Sequence, residues 1–173
     1  MTTSLVRPGP DDCAEYYFGY IRRVPDREIL DLYREQIEAS QRFLSGIPRD
    51  RHGYRYAPEK WTVREVIGHV IDVERVFGFR AFSFARRDPA ALPSMEQDPY
   101  VAAARYDRRT MDTIIREYVT MKQANLAFFE ALDGDEWQRR GTASNVEFTV
   151  TSIPFILVGH EIHHWSILAE RYV

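Results

Sequence analysis

Hydrophobic residues recur every three or four positions along four long stretches of this chain, the spacing that lines one face of an α-helix. The four stretches run from about residue 26 to 45, 63 to 85, 110 to 132 and 152 to 171. Eight of the nine prolines lie outside these stretches, in segments that show no regular period. The pattern therefore predicts an all-α protein built on four helices.

Residues at the ends of these stretches are of the types that start helices. Thr62 and Glu65 form a capping-box sequence at the start of the second helix, where each side chain can bond the backbone amide of the other residue. Asp26 is expected to cap the first helix, because its carboxylate can accept free amide protons of the first turn. Pro154 falls in the first turn of the fourth helix, where a missing amide proton does least harm.

The connections between the helices differ in length, and the longest one affects the topology. Residues 86–107 separate the second and third helices, so these two helices can run parallel, which a short turn would not allow. Residues 139–148 form another connection, which we expect to be partly extended. Residues 1–25 are rich in aromatic side chains and are expected to form an arm packed on the bundle. We find no internal repeat and expect residues 1–173 to form a single domain.

Composition narrows the possible functions. The chain is 45% hydrophobic and 28% charged, which is typical of a globular protein. The net charge is −3 and the basic residues are scattered, which argues against nucleic-acid binding. No apolar run reaches membrane-spanning length, and the N-terminal residues lack the core of a signal peptide. The single cysteine, Cys13, cannot form an internal disulfide. We expect a cytoplasmic protein that acts on a small molecule, with neither nucleic acid nor membrane as a partner.

The strongest chemical signal comes from three histidines. His160 and His164 are four residues apart, so they share one helix face and can chelate one metal ion. They continue the apolar stripe of Leu157 and Leu168, and they are therefore expected to point inward. His69 lies inside an apolar stripe of the second helix in the same way. Burying three imidazoles without partners would cost free energy, whereas one shared divalent ion would satisfy all three.

The roles of the neighbouring residues are less determined. A single inward histidine is more often a hydrogen-bonded core residue than a ligand, so the metal hypothesis depends on all three together. His163 is the main competitor for a ligand role. Asp72 and Glu161 are candidates to accept hydrogen bonds from the outer ring nitrogens, or to act as the catalytic base.

A zinc-protease interpretation is also open. His160 and His164 with Glu161 between them match the HExxH pattern, in which the glutamate is the general base. The extended form of that pattern needs a glycine at position 167 and a histidine at position 170, where this chain has Ile167 and Glu170. We therefore regard a metalloprotease as the less favoured alternative.

Three segments together resemble the DinB/YfiT-like superfamily. Residues 59–69 (EKWTVREVIGH) resemble its second-helix signature, residues 96–100 (EQDPY) its crossover loop, and residues 160–164 (HEIHH) its closing motif. The resemblance implies a four-helix bundle in up-down-down-up order with a long crossover between helices 2 and 3, and frequent homodimers. It also implies that His69, His160 and His164 are the metal ligands. One departure is at residues 165–167, which read WSI where many members have Arg-Gly-Gln.

The resemblance also implies a class of chemistry. Relatives include transferases that use low-molecular-weight thiols such as bacillithiol, a mycothiol-dependent isomerase, and proteins described as metal-dependent hydrolases. Three histidine ligands leave open positions on the ion, which is typical of catalytic sites, and zinc, nickel, iron and manganese all tolerate such ligands. We expect a hydrolase or a thiol S-transferase. The alternative is a non-catalytic bundle braced by the metal, or a small-molecule binding module.

Overall fold

The computed structural model describes residues 5–173, which contain six α-helices, four short 3-10 turns and one β-hairpin. The elements in chain order are α1 Phe18–Ile21, α2 Ile29–Ser45, α3 Val63–Ala85, α4 Gln97–Ala104, α5 Met111–Glu130, β1 Arg140–Ala143, β2 Val146–Thr149 and α6 Ser152–Arg171. The four predicted long helices correspond to α2, α3, α5 and α6. The predicted all-α class is confirmed, and the hairpin is a small addition to it.

The long helices form the predicted four-helix bundle, in which α2 and α3 each pack on both α5 and α6. The ring of Tyr33, early in α2, packs on the ring of Phe129 at the end of α5, so these two helices are antiparallel. Arg64 at the start of α3 donates to the backbone oxygen of Arg109 just before α5, so these two helices run parallel. The Tyr172 hydroxyl, at the end of α6, donates to the carbonyl oxygen of Trp61 just before α3, so α6 is antiparallel to α3. The order is therefore up-down-down-up, with the crossover lying between the two parallel helices.

The start of α3 is fixed by local chemistry, as the sequence predicted. The hydroxyl of Thr62 accepts from the Glu65 amide at 3.3 Å, and the Glu65 carboxylate accepts from the Thr62 amide at 2.7 Å. Both halves of the capping box are present. Because α3 begins at a defined residue, the position of His69, six residues after Val63, is fixed relative to the bundle.

The predicted cap of the first bundle helix is wrong. Helix α2 begins at Ile29, and the residue before it makes no capping hydrogen bond through its side chain. The backbone first turns at Pro25, whose carbonyl accepts from the amide of Arg27 at 3.0 Å. Asp26 lies inside this turn, so its carboxylate is too early in the chain to reach the free amides of α2.

The crossover between α3 and α5 contains a helix that the sequence pattern did not predict. Within residues 86–107, α4 spans eight residues and has Pro99 in its first turn. Proline breaks a helix interior, but the first-turn amides have no partner within the helix, so proline is tolerated there. The prolines of this segment therefore indicated an irregular connection, although it contains a short helix.

The predicted extended connection is a β-hairpin. Strands β1 and β2 pair antiparallel from Arg140 with Thr149 to Ala143 with Val146. The two turn residues, Ser144 and Asn145, both have positive φ, at 54° and 61°. Two consecutive left-handed residues are the geometry of the tight hairpin turn that matches strand twist.

The described part of the N-terminal arm, residues 5–25, covers one side of α6. A side chain at Gly159 would place its Cβ 2.2 Å from the carbonyl oxygen of Tyr20, so the glycine permits α1 to lie directly on α6. Further out, the ring of Tyr17 packs on Phe77 and Phe148 at 5.7 and 5.2 Å. The arm therefore lies against the same face of the bundle as the histidines.

The bundle interior is divided into two apolar clusters. One contains Val73, Phe77 and Leu157, and the other contains Val66 and Leu168. The histidines of α3 and α6 fall between these positions, at the junction of the clusters. Within residues 5–173, none of the helices combines the length and the apolar character that crossing a bilayer requires.

Candidate metal centre

His69 on α3 faces His160 and His164 on α6. All three side chains offer a nitrogen to the same point, and the three nitrogens lie within 4.8 Å of one another. The Nε2 atom of His160 is 3.1 Å from the Nε2 atom of His69 and 3.1 Å from that of His164. The structure thus brings together the three residues that the sequence singled out, from two separate helices.

The helix packing around His69 depends on a small neighbour. A Cβ at Gly68 would lie 2.2 Å from the ring of Tyr106, so glycine allows that ring to pack directly on α3. The indole of Trp61 covers the His69 ring at a centroid distance of 4.8 Å. Tyr20, from the arm, packs edge-on against His160 at 5.2 Å. Aromatic rings from three segments therefore hold the cluster.

All three imidazoles are neutral at pH 7. Burial lowers the pKa of His69 to about 4 and, with the neighbouring histidines, that of His164 to about 3. Burial, followed by the proximity of His164 and His69, places the pKa of His160 well below its usual value. A neutral imidazole has one nitrogen with a free lone pair, which is the form that binds a metal.

The arrangement fits a shared ion better than a hydrogen-bonded cluster. A neutral imidazole nitrogen carries either one proton or one lone pair, so Nε2 of His160 can complete a hydrogen bond with only one of its two neighbours. A single ion accepts lone pairs from all three nitrogens at once. In residues 5–173, no further histidine, cysteine or acidic side chain joins this group. The donor set therefore suits one divalent ion with open coordination positions.

His163, the competing candidate, lies outside the cluster. Its ring is half-buried and packs against Tyr20 at 5.6 Å and against His164 at 5.0 Å. Burial, together with the charge of Arg23, lowers its pKa. The adjacent position in the helix thus turns His163 toward the arm and away from the point shared by the other three.

Glu161 lies in the bundle interior, where it faces α2 and α5 and not the histidine cluster. Its carboxylate accepts from Lys122 Nζ at 2.7 Å, from the Ser40 hydroxyl at 2.5 Å and from Trp165 Nε1 at 3.1 Å. Trp165, which stands where many family members have arginine, therefore belongs to this buried network. No recorded hydrogen bond joins Glu161 to a histidine among the described residues.

Asp72 also makes its hydrogen bond with a residue outside the histidine cluster. One carboxylate oxygen accepts from the Tyr106 hydroxyl at 3.1 Å, and the other is buried without a partner among the described residues. Burial raises the pKa of Asp72, and the Tyr106 hydrogen bond opposes that shift. Nδ1 of His69 is likewise buried without a described partner. The hydrogen bonds that the sequence suggested from a histidine ring to Asp72 or Glu161 are therefore not formed.

Two pockets reach the histidines from different sides. The aromatic pocket has a volume of about 160 Å³ and includes Tyr17, Tyr20, Phe77, Arg80, His69 and His160 in its walls. The polar pocket has a volume of about 320 Å³ and includes Lys60, Trp61, Asp98 and His164. Gln97, in the first turn of α4, lines both pockets. The cluster is thus accessible to small molecules in spite of its burial.

The pocket residues Arg80 and Gln97 were not predicted from the sequence. Arg80 is three residues after Phe77 and four before Phe84, so it lies on the buried face of α3. The histidines lie on the buried faces of their helices in the same way. This spacing was a usable signal. Gln97 carries no comparable signal, because its position depends on the crossover helix that the sequence did not reveal.

Comparison with known proteins agrees with this architecture. YfiT from Bacillus subtilis, described as a probable metal-dependent hydrolase with an unusual four-helix bundle topology, superimposes with a TM-score of 0.73 at 14% identity, covering 85% of this chain and 87% of YfiT. The mycothiol-dependent maleylpyruvate isomerase gives a TM-score of 0.67 at 15% identity, covering 84% of this chain and 61% of the isomerase. At such identities the likeness shows the fold alone.

Sequence comparison identifies the family. A search of curated protein sequences gives no match. The sequence pattern of the DinB superfamily, in contrast, matches residues 32–168. This range covers all four bundle helices, except for the first three residues of α2 and the last three of α6. This chain is a member of the DinB superfamily.

Proposed function

We propose that this protein is an enzyme that uses one divalent metal ion held by His69, His160 and His164. The observation that carries the proposal is the convergence of three neutral Nε2 atoms where two pockets meet. Structural metal sites are normally closed by four protein ligands, whereas sites with three protein ligands and an open position are typical of catalysis. The described similarity to YfiT, a probable metal-dependent hydrolase, is consistent with this proposal.

Each part of the site has a task in such an enzyme. A bound divalent ion supplies Lewis-acid chemistry, lowering the pKa of a water molecule or a thiol. The low pKa values of the histidines keep them neutral, so protons compete little for the ligand nitrogens near pH 7. The rings of Trp61 and Tyr20 fix the orientation of His69 and His160 and exclude water from their faces.

The two predicted base candidates do not line either pocket. Glu161 is held by Lys122, Ser40 and Trp165, and in this proposal it positions α6 and does not transfer protons. Asp72 bonds Tyr106 on the side of α3 that faces the crossover. The proposal therefore rests on the histidines and on the pockets.

Transfer of a group to or from a low-molecular-weight thiol is a second candidate reaction, beside hydrolysis. His69 and His160 line the aromatic pocket, and His164 lines the polar pocket. Two molecules can therefore approach the cluster from different sides, whereas hydrolysis needs a single organic substrate. The similarity in fold to a mycothiol-dependent isomerase is compatible with this reaction class.

Metal analysis of purified variants tests the proposal. Wild-type protein should contain about one equivalent of divalent metal, and His69→Ala should lose most of it, because one of three ligands is gone. His163→Ala is the matched control: this residue lies beside the cluster on α6 but outside it, and its variant should keep the metal. Equal metal content in wild type and His69→Ala would refute the site.

A further inference from the structure

Arg80 is an interior cation in the wall of the aromatic pocket. The residue is 3% exposed, and it lies two turns after Val73 on the pocket side of α3. Its Nη2 atom donates to the carbonyl oxygen of Pro93 at 3.0 Å and to the hydroxyl of Ser144 at 3.0 Å. The guanidinium lies over the ring of Phe77 at 4.7 Å. The crossover segment and the hairpin turn therefore fix its orientation from outside the bundle.

The charge of Arg80 has no counter-charge in the described structure. The contacts just given are with neutral groups, and no carboxylate among residues 5–173 is recorded within ion-pair distance of it. The other buried cation of the described residues, Lys122, has two counter-charges, since its Nζ lies 2.7 Å from Glu161 and 3.2 Å from Glu74. A buried charge without a partner is costly, so a protein that keeps one in a pocket wall has a use for it.

The surroundings of Arg80 indicate what would neutralise it. A guanidinium has a planar fork of donors that matches the oxygens of a carboxylate or phosphate group. Two hydrogen bonds of Arg80 come from Nη2, and the Tyr17 hydroxyl is a further neutral partner of the guanidinium, so only neutral groups surround the positive charge. The remaining walls include Tyr17, Tyr20 and Phe77, which suit an apolar or aromatic body. His69 and His160 lie in the same small pocket.

We propose that the aromatic pocket binds a small organic oxyanion, a carboxylate or a phosphate-type group on an apolar body, with Arg80 as its anchor. This inference rests on the proposed function for the reaction, because it places the rest of the substrate beside the metal-binding histidines. Anchoring of the anion does not itself need the metal. Arg80 is thus a specificity-determining residue that selects negatively charged substrates.

Calorimetric titration with three probes of similar shape tests this proposal. Benzoate, phenylphosphonate and the neutral benzamide are each titrated into metal-free and zinc-loaded protein. Wild type should bind one or both anions at least about tenfold more tightly than benzamide in both forms, the equivalent of one charge-assisted hydrogen-bond pair. The better of the two anions identifies the preferred oxyanion.

Two variants test whether Arg80 is responsible for the preference for anions. Arg80→Gln should abolish the preference for the anions. Arg75→Gln is the matched control, because Arg75 is an exposed arginine on the same helix, paired with Glu117 and absent from the pocket walls, and its variant should keep the preference. If Arg80→Gln does not fold, the Nε–Hε resonance of Arg80 in wild-type protein should shift with the bound anion and not with benzamide.

The possible outcomes are distinct. Equal or absent binding of all three probes by wild type, a preference retained in Arg80→Gln, or an unmoved Arg80 resonance would each overturn the proposal. A preference seen only with zinc would mean that the anion binds the metal, and would overturn it as well. Failure to bind zinc with the preference intact would instead refute the proposed function and leave the anion site standing.

Discussion

At the scale of single residues, the two buried cations of residues 5–173 differ, because Lys122 is paired with carboxylates and Arg80 is not. Burial alone would lower the pKa of Lys122, but Glu161 and Glu74 outweigh it, and the pKa lies above its usual value. Lys122 is therefore charged at pH 7 and joins two carboxylates that would otherwise repel each other. Its Nζ also lies 3.9 Å from the centroid of the Tyr33 ring, a cation–π contact that stabilises the charge.

Replacing Lys122 with methionine should destabilise the fold strongly. The variant leaves Glu74 and Glu161 buried without a cation, and breaking a buried ion pair on one side costs about 3–5 kcal/mol. Urea unfolding at pH 7 measures the loss.

Arg34→Met is the matched control for that loss. Arg34 also pairs with two acidic residues, Asp31 and Glu130, but these pairs are exposed. Exposed pairs contribute about 0–1 kcal/mol, so this variant should unfold near the wild-type midpoint. A similar loss in both variants would show that burial does not govern the strength of the Lys122 contacts.

How well each interior polar residue could be predicted from the sequence depended on how clearly the apolar residues around it mark one helix face. The inward orientation of His69, His160 and His164 could be predicted because each continues an apolar stripe. Lys122 and Arg80 also lie in step with apolar neighbours and were overlooked, because long cationic side chains on helices usually reach solvent. Pattern can show that a polar residue faces inward, but the partner comes from a distant helix or loop.

At the scale of elements, the contact between α1 and α6 sets how closely the arm approaches the histidines. Gly159 precedes His160 directly, and the carbonyl oxygen of Tyr20 occupies the space where a side chain would lie. Backbone packed on backbone leaves little freedom to adjust. The glycine therefore determines the position of the arm over the site.

Gly159→Ala should lower the free energy of unfolding by about 1–3 kcal/mol, the usual cost of overpacking a filled contact. Chemical denaturation monitored by circular dichroism measures it. Gly19→Ala is the matched control: Gly19 lies in α1, has no atom within 4 Å of its added Cβ, and does not have a positive φ. That variant should be neutral or slightly stabilised by the better helix propensity of alanine. Equal effects at both positions would contradict the close contact.

The elements themselves were predicted best where periodicity and end signals agreed. Helices α3 and α6 match their predicted bounds, since each has a long stripe and a distinct start. The start of α2 was misplaced because a turn at Pro25 precedes it, and α4 was missed because eight residues with little amphipathic character give no usable period. Short elements depend on tertiary contacts that local sequence does not encode.

At the scale of the whole molecule, a polar layer separates the two apolar clusters and connects every bundle helix. Glu161 of α6 contacts Ser40 of α2 and Lys122 of α5, and Lys122 contacts Glu74 of α3. The histidine cluster, in contrast, joins only α3 and α6. The bundle therefore has its own cross-links, independent of any ion.

Removing metal with EDTA should leave the far-ultraviolet circular dichroism unchanged. The melting temperature should fall only by the amount expected from losing a bound ligand, and zinc should restore it. The His69→Ala variant is the control, and its melting temperature should not respond to EDTA. Loss of helical signal on chelation would instead support the non-catalytic alternative, in which the metal braces the bundle.

The hairpin turn at Ser144 and Asn145 lies outside the four-helix frame, yet Ser144 is one of the two groups that orient Arg80. The other, Pro93, belongs to the crossover segment. Neither segment contributes to the cross-links of the polar layer. If Arg80 anchors the substrate as proposed, changes at Ser144 or around Pro93 should alter which anions bind while the four bundle helices keep their sequence.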